Sequence, residues 1–202
     1  LPLNMNNKPV FVITFLGIDG SGKTSTINKL KVLLKNKYDE IIIHHLRPDL
    51  LNLNKSTSIF NPPKDPHSKA LRSSFTSLLK ISYWLIIYKI FFLLLSKKHS
   101  CLVIFDRYVD DILIDNKRYR YNLSSKITRK IMNYFPQPDL WVILTGKIAI
   151  IHKRKKELPI LELKRQSKKY INFYKSKKNA LLLNTSKSIK FNAVRIINEI
   201  IK

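Results

Sequence analysis

The segment Gly17-Ile-Asp-Gly-Ser-Gly22-Lys23-Thr24 constrains this chain more than any other part of it. It satisfies G-x-x-x-x-G-K-[ST] at every fixed position. The spacing has a chemical reason. Glycines let successive backbone N–H groups curl around phosphate oxygens. A helix opening near Lys23 points its positive end at the same oxygens. Lys23 then neutralises the outer phosphates, and the Thr24 hydroxyl ligates Mg²⁺. The context is the one the motif demands. Val10–Leu16, a short β-branched and aromatic run, reads as a buried strand before it. Ile27, Leu30, Leu33 and Leu34 recur at helical spacing after it, over Thr24–Lys37. The chain has four glycines and three of them fall in this loop, which sets it apart from a chance turn. Gly17, Asp19, Gly20, Ser21, Gly22, Lys23, Thr24 and Ser25 are therefore expected to hold ATP, with Mg²⁺ as the accompanying ion.

Strands and helices alternate along the rest of the chain. Ile41–His44, Cys101–Phe105, Leu140–Leu144 and Ala180–Asn184 read as further strands. Leu71–Ser96, Ser124–Tyr134, Ile148–Glu157, Leu161–Lys177 and Phe191–Ile201 read as helices, and Pro136 and Pro138 close the second of these. Leu50–Lys69, with Pro62, Pro63 and Pro66, reads as an irregular loop. That pattern predicts an α/β fold of the P-loop NTPase kind, three layers (α/β/α) around a five-stranded parallel sheet, in one domain over 1–202.

Cys101-Leu-Val-Ile-Phe-Asp106-Arg107-Tyr108 is a buried strand ending in Asp, the expected place for a second Mg²⁺-site carboxylate. Arg107 follows at the mouth of the sheet, where open α/β folds bind ligands. With these residues on the page, the chain resembles the thymidylate kinase family of nucleoside monophosphate kinases. Four features carry the resemblance, in order: Gly17–Ser25; Asp106-Arg107-Tyr108; Pro138-Asp139-Leu140 opening a strand; and a basic lid near His152–Glu157, within a lid region of about 147–160. His45-Leu-Arg47-Pro48 stands where the family carries an Arg-and-Pro loop.

The resemblance implies roles at these positions. Lys23 and Thr24 would hold ATP and Mg²⁺. Asp19 would face the acceptor's sugar. Asp106 would act through the metal or near the attacking phosphate, and Arg107 and Arg47 would clamp the acceptor from two sides. Tyr108 belongs with the acceptor site on the same ground. The phosphate loop carries no arginine, so the lid must supply the transition-state cation; Arg154 is the choice, with Lys153, Lys155 and Lys156 as helpers. A solvated basic helix face accounts for 153–156 as well.

The departures from the family cluster on the acceptor side. The family reads thymine partly with an arginine on the long helix before the Asp-Arg-Tyr strand. Here that region holds Tyr83, Trp84 and Leu85, and Arg72 lies too early. After Tyr108 stand Asp110, Asp111, Asp115 and Asn116, then Arg118-Tyr119-Arg120-Tyr121. Thr145-Gly146 replaces the usual Asp after the fourth strand. Asp111 and Asp115 would share a helix face; a second metal, a general base, or ion pairs with Arg118 and Arg120 all account for them. Arg118 and Arg120 either grip phosphate or serve packing and pairing.

Composition adds less. The net charge of +25 comes from 38 basic against 13 acidic residues. Drift toward Lys, Asn and Ile accounts for it, and so does an anionic partner such as nucleic acid or a membrane. Ile81–Leu95 is nearly all apolar and approaches a membrane span in length, or is a helix buried beside the sheet. The lone cysteine, Cys101, fits a reducing cytoplasm. No histidine or cysteine grouping has metal-ligand spacing. Leu1 opens the sequence, which reads as part of a longer chain or as one whose translation starts at Met5.

Three functions are thus in play: phosphorylation of a nucleoside monophosphate, dTMP to dTDP by the resemblance, which also implies a homodimer; the same transfer to another small acceptor, a sugar or lipid head group, with peripheral membrane contact; and a non-catalytic nucleic-acid-binding role, the least favoured.

Overall fold

The computed structural model describes residues 9–50 and 70–202. The loop expected over Leu50–Lys69 lies, beyond Leu50, outside the described residues. Five strands form one parallel sheet: β1 (Val10–Gly17), β2 (Glu40–His45), β3 (Cys101–Asp106), β4 (Leu140–Thr145) and β5 (Ala180–Asn184), in spatial order β2-β3-β1-β4-β5. Seven helices are present among the described residues: α1 (Lys23–Leu34), α2 (Ser74–Leu95), α3 (Asp111–Ile114), α4 (Ser125–Met132), α5 (Ile148–Arg154), α6 (Ile160–Ser176) and α7 (Ile189–Ile201). The expected five-stranded parallel α/β fold is present.

The central strands are apolar on both faces because both faces are covered. Phe11, Ile13 and Phe15 of β1 meet Ile27 and Leu30 of α1 and Ile196 of α7 in one core. Val12 and Leu16 turn the other way, into a core shared with α2 and α6. Asp139 pins the β1–β4 register, accepting from the Val12 amide at 2.8 Å while its own amide donates to Val12 O at 2.8 Å. Cys101 opens β3 with no exposed surface, its amide donating to Pro9 O.

Element bounds follow their caps. Ser73, Ser124 and Ser188 each accept a hydrogen bond from an amide three residues on and start α2, α4 and α7. The Ser188 cap starts α7 two residues before the expected Phe191. The four-residue α3 was not legible in the pattern.

Helix α2 is neither wholly buried nor wholly apart. Ile81, Trp84, Tyr88, Phe91 and Leu95 pack on the sheet, each worth about 1.5–3 kcal/mol of burial. Tyr88 donates its hydroxyl to Leu46 O, tying α2 to the end of β2. The opposite face leaves Leu79, Tyr83, Ile86, Ile90 and Leu93 exposed. By length and composition α2 could cross a membrane, yet a third of its most apolar stretch is buried in the protein.

Candidate active site

β1 runs straight into the phosphate loop. Gly17 has φ +146°, and a Cβ there would stand 2.5 Å from Leu144 O on β4, so no side chain fits between the strands. Gly22 caps α1 at φ +88°, in the left-handed region that releases the chain into the helix. Lys23 folds back over the loop and donates to Gly17 O at 2.7 Å and Ile18 O at 3.1 Å, with Asp19 Oδ1 at 3.6 Å. Burial, then the nearby Arg107, pull the Lys23 ammonium down to about 8, against the opposing pull of Asp19, Asp106 and Asp111.

The loop forms one wall of an open cleft of about 1000 Å³. Asp19, Gly20, Ser21, Gly22, Lys23, Thr24 and Ser25 all line it, with Asp106, Arg107, Arg118 and Arg154. Gly17 lies beneath the loop. Sequence reasoning missed His45, which faces Asp106 across the β2–β3 register and lines the cleft. It also missed the segment after β5, where Thr185, Ser186, Lys187 and Ser188 flank the phosphate loop. Gly146 carried the one signal for it: a Cβ there would lie 1.9 Å from Thr185 Oγ1, so the residue after Thr145 must be glycine for that segment to close in.

At the end of β3, Arg107 adopts φ +79°, a strained conformation for a side chain of its size. The residue is 3% exposed, and its guanidinium bridges two carboxylates: one nitrogen donates to Asp111, another to Asp19. Arg118 donates to the second oxygen of Asp19, and its Nε reaches Asp115 at 3.3 Å. Lys155 stands 3.8 Å from Asp19. Burial alone would raise Asp19, but Arg107, Lys23, Arg118 and Lys155 together hold it well below the ordinary carboxylate range.

The acidic pair after Tyr108 resolves into ion pairs. Asp111 holds Arg107, and Asp115, which closes α3, holds Arg118. Among the described residues no three His, Cys, Asp or Glu side chains gather as a metal cage. A Mg²⁺ ion does not need one, since it is held by one or two protein oxygens plus substrate phosphates. Asp106 Oδ1 is buried without a hydrogen-bond partner and the exposed Thr24 hydroxyl shares its cleft, a hard-oxygen donor set that fits Mg²⁺.

Three residues expected at the acceptor lie off the lining of this cleft. Tyr108 is fully buried, donates to Pro136 O at 2.7 Å and packs edge-on against Tyr88, Phe105 and Trp141. The turn at Arg107 rotates it out of the cleft and into the core. Arg120 spends its Nε on Ala70 O at 2.9 Å, holding the chain ahead of α2. Arg47 is exposed beyond β2, and it too lies off the cleft lining. In the segment expected to be a lid, Arg154 and Lys155 line the cleft and the exposed Lys153 and Lys156 do not. On α2, Lys80 lies one turn before Trp84; its Nζ donates to Tyr119 O at 2.7 Å and lies 5.0 Å from the Trp84 ring centroid.

No protein-family model matches the chain. It is similar to the probable thymidylate kinase of Sulfolobus acidocaldarius, 29% identical over 191 residues, spanning 89% of this chain and 91% of that protein. Its fold is that of the thymidylate kinase of Ehrlichia chaffeensis (TM-score 0.57, 19% identity, 95% of this chain and 98% of the other). It is likewise that of the thymidylate kinase of Candida albicans (TM-score 0.62, 15% identity, 96% and 94%). Sequence likeness over most of the chain, a shared fold, and a phosphate loop faced by Arg107 and Arg118 make this chain similar to the thymidylate kinases.

Proposed function

We propose that the chain is a nucleoside monophosphate kinase that uses ATP and Mg²⁺ to convert dTMP to dTDP. One observation carries the reading: a phosphate loop and an arginine pair, buried Arg107 and half-buried Arg118, face each other across one cleft, joined by Asp19. Such a cleft takes two phosphorylated ligands end to end.

Each residue then has a task. The loop amides and Lys23 hold the donor phosphates and neutralise them. Arg107 and Arg118 present fixed guanidinium edges to the acceptor phosphate, so the two ligands meet in line rather than by collision. Arg154 and Lys155, on a lid over 147–160, face the place where charge develops. Thr24 and Asp106 would hold Mg²⁺, which supplies further neutralisation of the transferring group. A cytoplasmic setting, with its nucleotides and reduced thiols, suits this activity.

ADP production from ATP and Mg²⁺ with a panel of nucleoside monophosphates tests it. Turnover with dTMP above the others is expected, and Lys23→Ala should lower kcat by about 100- to 1,000-fold. Equal turnover in Lys23→Ala would refute the site. A second reading, transfer to another small acceptor such as a sugar or lipid head group, draws on Arg118, which lines the cleft within the stretch after Tyr108 where the sequence departs from the family. ATP binding without turnover of any nucleotide would select it.

The exposed face of α2 is the proposed contact with a second copy. Leu79, Tyr83, Ile86, Ile90 and Leu93 follow steps of four and three residues, the repeat that seats one helix against another.

A further inference from the structure

Asp111 is a carboxylate with no exposed surface. A charge so placed is costly unless its oxygens are saturated. Here they are. Oδ2 accepts from Arg107 and from the Tyr119 hydroxyl, and Oδ1 accepts from the Tyr170 hydroxyl. These donors come from the turn at the end of β3, from the segment after α3, and from the middle of α6. Burial would raise the Asp111 carboxyl, but Arg107 and the two tyrosines hold it below its ordinary value, so it stays charged. Of these four residues only Arg107 lines the cleft.

The two carboxylates on Arg107 are not equivalent. Asp19 lies on the cleft wall, is 15% exposed and is shared with Lys23, Arg118 and Lys155. A ligand anion can compete for that end of the guanidinium. The Asp111 end is sealed. We infer that Asp111, locked by Tyr119 and Tyr170, is the positioning residue that aims Arg107 at the anionic group of the acceptor. The inference rests on the kinase reading above for its acceptor, and on the geometry alone for its direction. Through Tyr170 it also makes the seat of α6, the helix that follows the lid segment, a condition for the arginine's aim.

The test uses the full chain and three variants: Asp111→Asn, Tyr119→Phe and Tyr170→Phe. With dTMP and ATP as substrates, Asp111→Asn should raise the acceptor KM by about 10- to 50-fold, the loss of a charge-assisted hydrogen bond. The ATP KM should stay within about twofold. Each Tyr→Phe change keeps the ring and removes the hydroxyl, so a rise of about 3- to 5-fold with the same split is expected. A merely structural role would lower the melting temperature and move both KM values together, or neither; either result overturns the assignment. Should Asp111→Asn fail to fold, the two tyrosine variants carry the same split. Calorimetry with inorganic phosphate, the phosphate loop filled with ADP, separates the two claims. If the wild type turns over no nucleoside monophosphate, the function falls. Weaker phosphate binding in the variants would still uphold the positioning role, and unchanged binding would end it.

Discussion

His44 sits on β2 with no exposed surface, its ring edge-on to Phe91 at 4.9 Å and near Phe105 at 5.6 Å. Neither ring nitrogen has a hydrogen-bond partner. Burial pulls it down to about 4, so the folded chain takes up this proton only near that pH. The unfolded chain takes it up near 6.5. Between those values the unfolded state binds more protons, and stability falls as pH drops through that window. At pH 4.5 the loss is at most about 2–3 kcal/mol. His44→Phe should remove this slope, measured as a smaller fall in melting temperature between pH 7.5 and 4.5 than in the wild type. Single residues also show what the sequence could reveal. Lys23, Thr24 and Asp106 were legible because a phosphate site fixes residue type and spacing over a few positions. The Arg118–Asp19 pair was not, because its partners lie 99 residues apart and only the packed sheet brings them together. Tyr108 misled for a local reason: a positive φ at Arg107 reverses the side the next residue faces.

At the scale of elements, helix α2 is the clearest case of what composition hides. It is apolar all round, so its sequence has no face, and periodicity could not say which side meets the sheet. The fold decides: Trp84, Tyr88 and Phe91 go inward, and Ile86 remains 58% exposed on the outer side. If that side meets a second copy, Ile86→Glu with Ile90→Glu should shift the chain from dimer to monomer in light scattering after size exclusion. A dimer that survives both changes would remove α2 from the interface. Co-sedimentation of the wild-type monomer with anionic vesicles, lost in the same variant, would instead point to a lipid surface. The strands were legible almost to the residue, since a parallel sheet covered on both faces reads as short unbroken apolar runs. Helix α3 was not, because four residues show no period.

At the scale of the molecule, the exposed lysines among the described residues are spread rather than striped. Lys31 on α1, Lys89 on α2, Lys126 and Lys130 on α4, Lys164 and Lys168 on α6, and Lys190 on α7 face solvent in both layers. That distribution fits a diffuse positive field better than a groove shaped to one polyanion. A diffuse field still attracts nucleotides. Raising KCl from 50 to 500 mM should lower kcat/KM for the acceptor several-fold through screening, with kcat little changed. A drop in kcat of equal size would place the salt effect in the cleft itself.

The buried thiol of Cys101 has one more consequence. The chain has a single cysteine, it opens the strand next to the centre of the sheet, and burial pushes its thiol up to about 11. A thiol reagent therefore meets a silent group until the strand is released. Labelling then becomes a clock for the opening of the sheet, installed without mutation, and any nucleotide that binds the folded chain should slow it in proportion to the stability it adds.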